Sequence, residues 1–353
     1  MTETTAARVL RQTEAEAVYV VCGYLKRYLT GFSIEDGYVV ADRDGVTMYT
    51  DARYIEAAEK FFAGKEGFAV RLMAKENAPA KLLQKYKSVG IPFELTSLSD
   101  YRKLQTLNVR LVDVMPAFNA CMAIKTEEEL AAIGKACAIA EEGFLKLLPE
   151  IREGMTEREC AARLEYEMRL GGAEGTSFDT IVAFGANASV PHHETGDTRL
   201  RFGDEILIDF GCRKEGYCSD ITRTFLFGDD RKHETFKELY AHVLRAHELF
   251  KEKFHAGMTG KEGDAIAREY FKEHGLDKYF THSLGHGIGL NIHEEPRLSP
   301  KSSTIFADGM VFSDEPGVYF AGEVGIRIED TVALQGGTVR SFMHKTDKKL
   351  III

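Results

Sequence analysis

DEILIDFGCRKEGYCSD, residues 204–220, reads as strand, turn and strand. Side chains alternate between the two faces of a strand, so a hairpin closing near Arg213 to Gly216 sets Asp209 and Asp220 on neighbouring strands, aimed at one point. Two acids so placed repel each other, and a divalent cation between them is the usual relief.

A second stretch repeats the device. In FSDEPGVYFAGEVGIRIED (312–330), Glu315 precedes a predicted Pro-Gly turn and Glu329 ends a strand fourteen residues later. Between the two stretches lies HSLGHGIGLNIHEEP (282–296), where Gly285, Gly287 and Gly289 let the backbone approach closely around His286. Four carboxylates and one imidazole on separate strands suit a two-metal site. A carboxylate can place its two oxygens on different ions, whereas an imidazole nitrogen serves one. Asp209 is therefore expected on one metal, Asp220 and Glu329 bridging, and His286 and Glu315 on the other. So many oxygen donors favour Mn, with Co, Zn or Fe as alternatives. Cys212 and Cys218 flank the first turn as a rival zinc pair, outweighed by the oxygen donors around them.

The helices ahead of each hairpin are also duplicated. Thr126 and Glu129 form a capping-box pattern opening a helix to about Leu148, followed by Pro149, and Thr156 with Glu159 opens another that ends at Gly171-Gly172. Helices over 234–254 and 261–274 then follow the same order. Gly154-Met155-Thr156 returns as Gly257-Met258-Thr259. Two α/β halves, each a helix pair and a carboxylate hairpin, are expected to face one another across a shared site.

A chain of 353 residues exceeds what one core usually organises. The predicted domains are 1–122 and 123–353. In the first, MTETTAARVLRQTEAEAVYV is polar and helix-like, which argues against a leader peptide or membrane span. YLTGF (28–32) reads as a strand, and 37–51 as a hairpin turning at Asp44-Gly45. Asp51 is placed to cap a helix running to about Gly64. Strands near 68–72, 89–91 and 109–113 alternate with helices at 77–87 and 98–106, giving a small α/β domain with no ligand cluster. A net charge of −10 disfavours nucleic acid. The six cysteines lack C-x-x-C spacing and read as reduced thiols of a cytoplasmic protein.

LIDFG, SDITRT, HSLGHGIGL, HEEP, DEPGVY and GIRIEDT together resemble, in order, the motifs of the pita-bread metallopeptidases, in the branch of aminopeptidase P and prolidase. The resemblance covers the whole chain, since YLTGF and the α/β pattern before residue 120 resemble that branch's creatinase-type N-terminal domain and IKTEEEL its linker helix. SDEPG and ANASVPHH depart slightly from the family pattern without removing a ligand. The resemblance implies hydrolysis of the bond between an N-terminal residue and a following proline, through a hydroxide bridged between two metals. It implies Asp209, Asp220, His286, Glu315 and Glu329 as ligands, Glu315 as proton shuttle, and His192, His293 and Arg327 as residues that steady the reacting carbonyl and hold substrate. Blander readings are a solvated loop for His192 and better for His193, packing beside Pro296 for His293, and support of a metal-binding carboxylate for Arg327; His282 is read as part of the site wall. A cytoplasmic homodimer acting on proline-containing peptides or dipeptides follows. The alternatives are a binding protein that keeps the fold without catalysis, which should lack ligands, and a methionine aminopeptidase, which usually lacks the N-terminal domain.

Overall fold

The computed structural model describes residues 4–228 and 234–353. They divide into two compact units, one ending at Met122 and the other running from Ala123 to Ile353.

The first unit is built from α1 (Thr5–Arg11), β1 (Ala17–Val20), α2 (Gly23–Thr30), β2 (Tyr38–Asp42), β3 (Gly45–Thr50), α3 (Ile55–Phe62), β4 (Phe68–Leu72), α4 (Pro79–Leu82), β5 (Ser88–Ile91), α5 (Leu98–Gln105), β6 (Arg110–Asp113) and α6 (Met115–Ala123). Its sheet has the order β4-β3-β2-β1-β5-β6. The hairpin at Asp44-Gly45 forms, and Gly45 is required there because a Cβ would come 2.4 Å from the Gly67 carbonyl oxygen. Three expectations fail. YLTGF begins inside α2, which buries Leu25, Tyr28 and Leu29 at helical spacing and stops at Gly31 with φ of 72°. Residues 17–20, expected to be helix-like, are the strand β1, where Ala17, Val18 and Val20 are buried at the centre of the sheet. Asp51 spends its Oδ1 on the Arg53 N–H, so α3 starts at Ile55 without that cap.

The second unit runs α7 (Glu127–Leu147), α8 (Glu157–Leu170), β7 (Gly175–Thr176), β8 (Ile181–Phe184), β9 (Glu205–Phe210), β10 (Cys212–Lys214), β11 (Tyr217–Cys218) and β12 (Ile221–Leu226), then α9 (Glu234–Lys253), α10 (Gly260–Glu273), β13 (Gly285–Gly287), β14 (Glu294–Leu298), β15 (Val311–Asp314), β16 (Gly317–Phe320), β17 (Val324–Arg327), β18 (Asp330–Gln335) and β19 (Thr338–Ser341). Reciprocal capping boxes open three of its helices, Thr126/Glu129, Thr156/Glu159 and Thr259/Glu262; each satisfies two otherwise orphaned backbone donors. The duplication is visible as two cores. One lies between α7, α8 and β8, β9, β12, where Phe144 stacks on Phe210 at 5.5 Å. The other gathers Phe250, Phe254, Phe306 and Phe312 between α9, α10 and the second sheet. Burying one such ring contributes roughly 1.5–3 kcal/mol.

Each hairpin is broken in the middle, and the breaks position the site. Strands β9 and β12 pair from Glu205/Leu226 up to Phe210/Ile221; beyond Gly211 and Asp220 the same chain continues as β10 and β11 in another sheet. Strands β15 and β18 pair up to Asp314/Asp330, and beyond Glu315-Pro316 and Ile328-Glu329 the chain continues as β16 and β17. Pro316-Gly317 is thus not the predicted turn. Proline has no N–H to give a ladder, and here it marks the point where one strand leaves its sheet.

Candidate metal centre

Alternation along β9 sends Ile206, Ile208 and Phe210 into the first core and leaves Leu207 and Asp209 on the other face. Asp209 lies opposite Thr222, and the backbone N–H of Glu329 donates to the Thr222 carbonyl at 3.1 Å, which joins the two halves. Asp220 is fixed at the break by the Thr331 hydroxyl, which accepts from its N–H at 3.0 Å and donates to its C=O at 2.7 Å. Carboxylate oxygens of Asp209, Asp220 and Glu329 come within 4.8 Å of one another.

His286 and Glu315 complete the group. The ring Nε2 lies 3.5 Å from Asp220 Oδ2 and 3.5 Å from Glu315 Oε1. Its Nδ1 donates to the Gly287 carbonyl at 3.1 Å, so the lone pair of Nε2 faces the carboxylates. The glycines around it are dictated by contact: a Cβ on Gly285 would sit 2.0 Å from the Ser313 carbonyl oxygen, and one on Gly287 2.4 Å from that of Glu295. The Ser313 hydroxyl accepts from the His286 N–H and donates to Glu315 Oε1 at 2.9 Å.

These groups fit divalent cations. Burial, followed by the neighbouring carboxylates, lifts Asp220 and Glu329 well above the usual carboxylate range. Burial lifts Glu315 to about 7 despite the guanidinium of Arg327, and drives His286 down to about 3, a neutral ring. Asp209 Oδ1 is buried with no hydrogen bond. Acids that resist ionisation, an orphaned oxygen and an imidazole lone pair all turned inward are groups that a divalent ion would satisfy together.

Arg327 is buried beside them. Its Nη2 donates to Asp209 Oδ2 at 2.7 Å, its Nη1 to Tyr319 Oη at 2.7 Å and its Nε to Thr222 Oγ1 at 2.9 Å, while Thr222 donates in turn to Glu329 Oε2 at 2.6 Å. His282 Nε2 is 3.0 Å from the same tyrosine oxygen.

All eight residues singled out in the sequence line one cleft of about 400 Å³. His192 and His293 are exposed on its wall, and the His293 ring lies 4.3 Å from that of His286, tilted by 66°. The loop carrying His293 is anchored by buried Glu294, which accepts from the Asn291 N–H and pairs with buried Lys125 at 3.3 Å. His193 is not a solvated loop residue: its Nε2 is 2.9 Å from Glu157 Oε2, a carboxylate that also accepts from Phe184, Asn187 and Gly196. Cys212 and Cys218 form no metal pair, for their thiols point to the carbonyls of Ala136 and Leu290. Missed from the sequence were Thr222, Ser313 and Tyr319. The signal for two of them was available: Thr222 lies two residues after Asp220 and Ser313 two before Glu315, the spacing that shares a strand face.

The raised carboxyls make a prediction for the metal-free protein. Glu315 in the folded state holds a proton, up to about pH 7, that the unfolded chain has released near its ordinary value, so stability falls as pH rises through 7. Half-buried His282 and buried His286 act oppositely, but their folded values of about 4 and 3 lie below the unfolded value, and their gain is nearly complete by pH 7. Urea unfolding is expected to show a loss between pH 7 and 8, roughly 0.3–0.4 kcal/mol of it from Glu315, to which the raised carboxyls of Asp220 and Glu329 add. Excess Mn²⁺ should abolish the trend, and a metal-free protein that gains stability over that interval would refute it.

Residues 131–335 match the model of Metallopeptidase family M24, and residues 5–124 that of the Creatinase/Prolidase N-terminal domain. The chain is 38% identical to an Xaa-Pro dipeptidase of Pyrococcus furiosus over 92% of each chain. Among solved structures it resembles an Xaa-Pro dipeptidase from Bacillus anthracis, with a TM-score of 0.92 and 32% identity over 99% of both chains. It also resembles an X-Pro aminopeptidase from Thermotoga maritima, with a TM-score of 0.89 and 33% identity over 98% of this chain and 100% of that one.

Proposed function

Since the chain belongs to metallopeptidase family M24, we propose that it is a metal-dependent Xaa-Pro peptidase whose reaction takes place in the cleft between Asp209 and Glu329. The observation that carries the reading is a cluster in one cleft: Asp209, Asp220 and Glu329 offer oxygens within 4.8 Å of one another, and His286 Nε2 lies 3.5 Å from both Asp220 and Glu315. We assign the holding of two divalent ions, Mn²⁺ first, to Asp209, Asp220, His286, Glu315 and Glu329. Such ions supply a Lewis acid for the scissile carbonyl and make water acidic enough to attack near neutral pH.

The chain's own groups account for the remainder. The bond before proline is a tertiary amide, and its nitrogen must gain a proton to leave as a secondary amine. Glu315, fixed by the Ser313 hydroxyl and open to the cleft, takes a proton from the attacking water and returns it to that nitrogen. His293 and His192, on the cleft wall, donate to the carbonyl oxygen as charge develops on it and to the substrate's polar ends. Arg327 has Asp209, Thr222 and Tyr319 as partners, which favours its holding Asp209 in place over a primary contact with substrate.

The six thiols are free and suit the cytoplasm, and we place the chain there as a homodimer. Among the described residues no helix is long and apolar enough to cross a membrane. Sedimentation should give twice the 39.5 kDa of one chain.

The test is release of the N-terminal residue from Xaa-Pro and Xaa-Pro-Yaa by protein loaded with Mn²⁺, Co²⁺ or Zn²⁺, against Xaa-Ala controls. Hydrolysis confined to the proline substrates is expected, and the ratio of the two proline activities separates a dipeptidase from an aminopeptidase. Stoichiometric metal without turnover on either would favour a binding protein.

A further inference from the structure

Asp314 and Asp330 face each other as the last residue pair joining β15 to β18, and neither is accessible to solvent. Each is one residue from a cleft carboxylate, Glu315 or Glu329. Strand alternation turns them to the opposite side of the sheet. There His247 of α9, itself buried, reaches between them in close polar contact without an aligned hydrogen bond, with Nδ1 2.9 Å from Asp314 Oδ2 and Nε2 3.7 Å from Asp330 Oδ2. Asp330 also receives Arg223 Nη2 on Oδ1 at 2.9 Å, and Lys348 at 3.0 Å and the Ser341 hydroxyl at 2.7 Å on Oδ2. Arg223 Nη1 reaches round to the carbonyl of Glu329 at 2.6 Å.

The duplicated half provides the control. Its corresponding last pair, joining β9 to β12, is Phe210 and Ile221, both part of an apolar core. The broken hairpin can therefore be built without charge. Buried ion pairs of this kind are often no more stable than an apolar replacement, so stability alone does not account for the acids. What differs between the halves is the load. In the first, only Asp220 sits on the break, held there by Thr331, while Asp209 lies within a strand; in the second, Glu315 and Glu329 both sit on the break, where the ladder is lost.

We propose that Asp314, His247 and Asp330 form a buried clamp that fixes the separation of Glu315 and Glu329, so that His247 is a positioning residue for the metal centre. The clamp rests on the metal reading of the cleft. It holds the strand ends where they part, and Arg223 extends it to the main chain of Glu329.

The test is calorimetric titration of the metal-free protein with Mn²⁺, read beside steady-state kinetics. His247→Leu is expected to weaken Mn²⁺ binding by about 10–100-fold, and to lower kcat with KM for an Xaa-Pro dipeptide little changed. His247→Asn, whose amide returns a donor near the position of Nδ1, is expected to recover most of the affinity. Phe250→Leu trims the core under the same helix; it should lower the thermal midpoint and leave Mn²⁺ affinity as in the parent. An affinity of His247→Leu within twofold of the parent overturns the clamp, as does an equal loss in Phe250→Leu. If His247→Leu fails to fold, Asp314→Asn carries the same expectation. A parent that binds Mn²⁺ but cleaves no Xaa-Pro peptide refutes the peptidase reading and leaves the clamp to be judged on affinity; one that binds no Mn²⁺ refutes both.

Discussion

Glu329→Gln is expected to lower kcat/KM on Xaa-Pro substrates by about 10³ or more at saturating Mn²⁺, because several kcal/mol of transition-state stabilisation depend on ions it would help to hold. The amide keeps the size of the side chain and still accepts from Thr222. What it removes is the second oxygen's charge, and with it the ability to bridge. The metal-free variant should at the same time be more stable at pH 8 than the metal-free parent, for burial and the charges of Glu315 and Asp209 oppose ionisation of Glu329 in the fold. Asp220→Asn should behave alike. Titration calorimetry, kinetics and urea unfolding at pH 8 check the three parts. Unaltered kcat/KM with full metal occupancy would remove Glu329 from the centre.

Arg327→Met should be the most damaging substitution for stability in the cleft, at roughly 3–5 kcal/mol, since it strands the half-buried carboxylate of Asp209 and the oxygens of Tyr319 and Thr222 together. Arg327→Lys is expected to recover little. One ammonium on a flexible stem cannot meet three partners spread around a planar fork. Denaturant unfolding of both metal-free variants tests this, and an Arg327→Lys protein within about 1 kcal/mol of the parent would show that charge alone suffices. Metal restored to Arg327→Lys should bind more weakly, because Asp209 is then free to turn.

The clustering of the candidate site was legible because its members are residue types at strand spacing. Asp209, Asp220, Glu315 and Glu329 stand at the ends of apolar alternation, and His286 stands among glycines that only a close backbone approach explains. The hydroxyls that orient them were not read, since a threonine or serine in a strand is ordinary until its neighbour is known to need a donor. Pro316 misled for a related reason: Glu-Pro-Gly is a turn by local chemistry, and only the pairing of β15 with β18 and of β16 with β17 shows that it is a change of sheet. YLTGF misled because five residues are too few to separate period two from period 3.6, and the helix that claims its start begins upstream at Gly23. His193 and Asp51 were misassigned for want of knowing which donor or acceptor lay nearest.

The seam between the halves, where Thr222 meets Glu329 and Thr331 meets Asp220, also sets a timetable. A ribosome threads out the first lobe, with Asp209 and Asp220, more than a hundred residues before Glu329 emerges. Until then the nascent polypeptide owns half of a blade. On the ligand set proposed above, a chain ending before residue 329 lacks one of the metal-holding carboxylates, and no metal-dependent hydrolysis is expected of it.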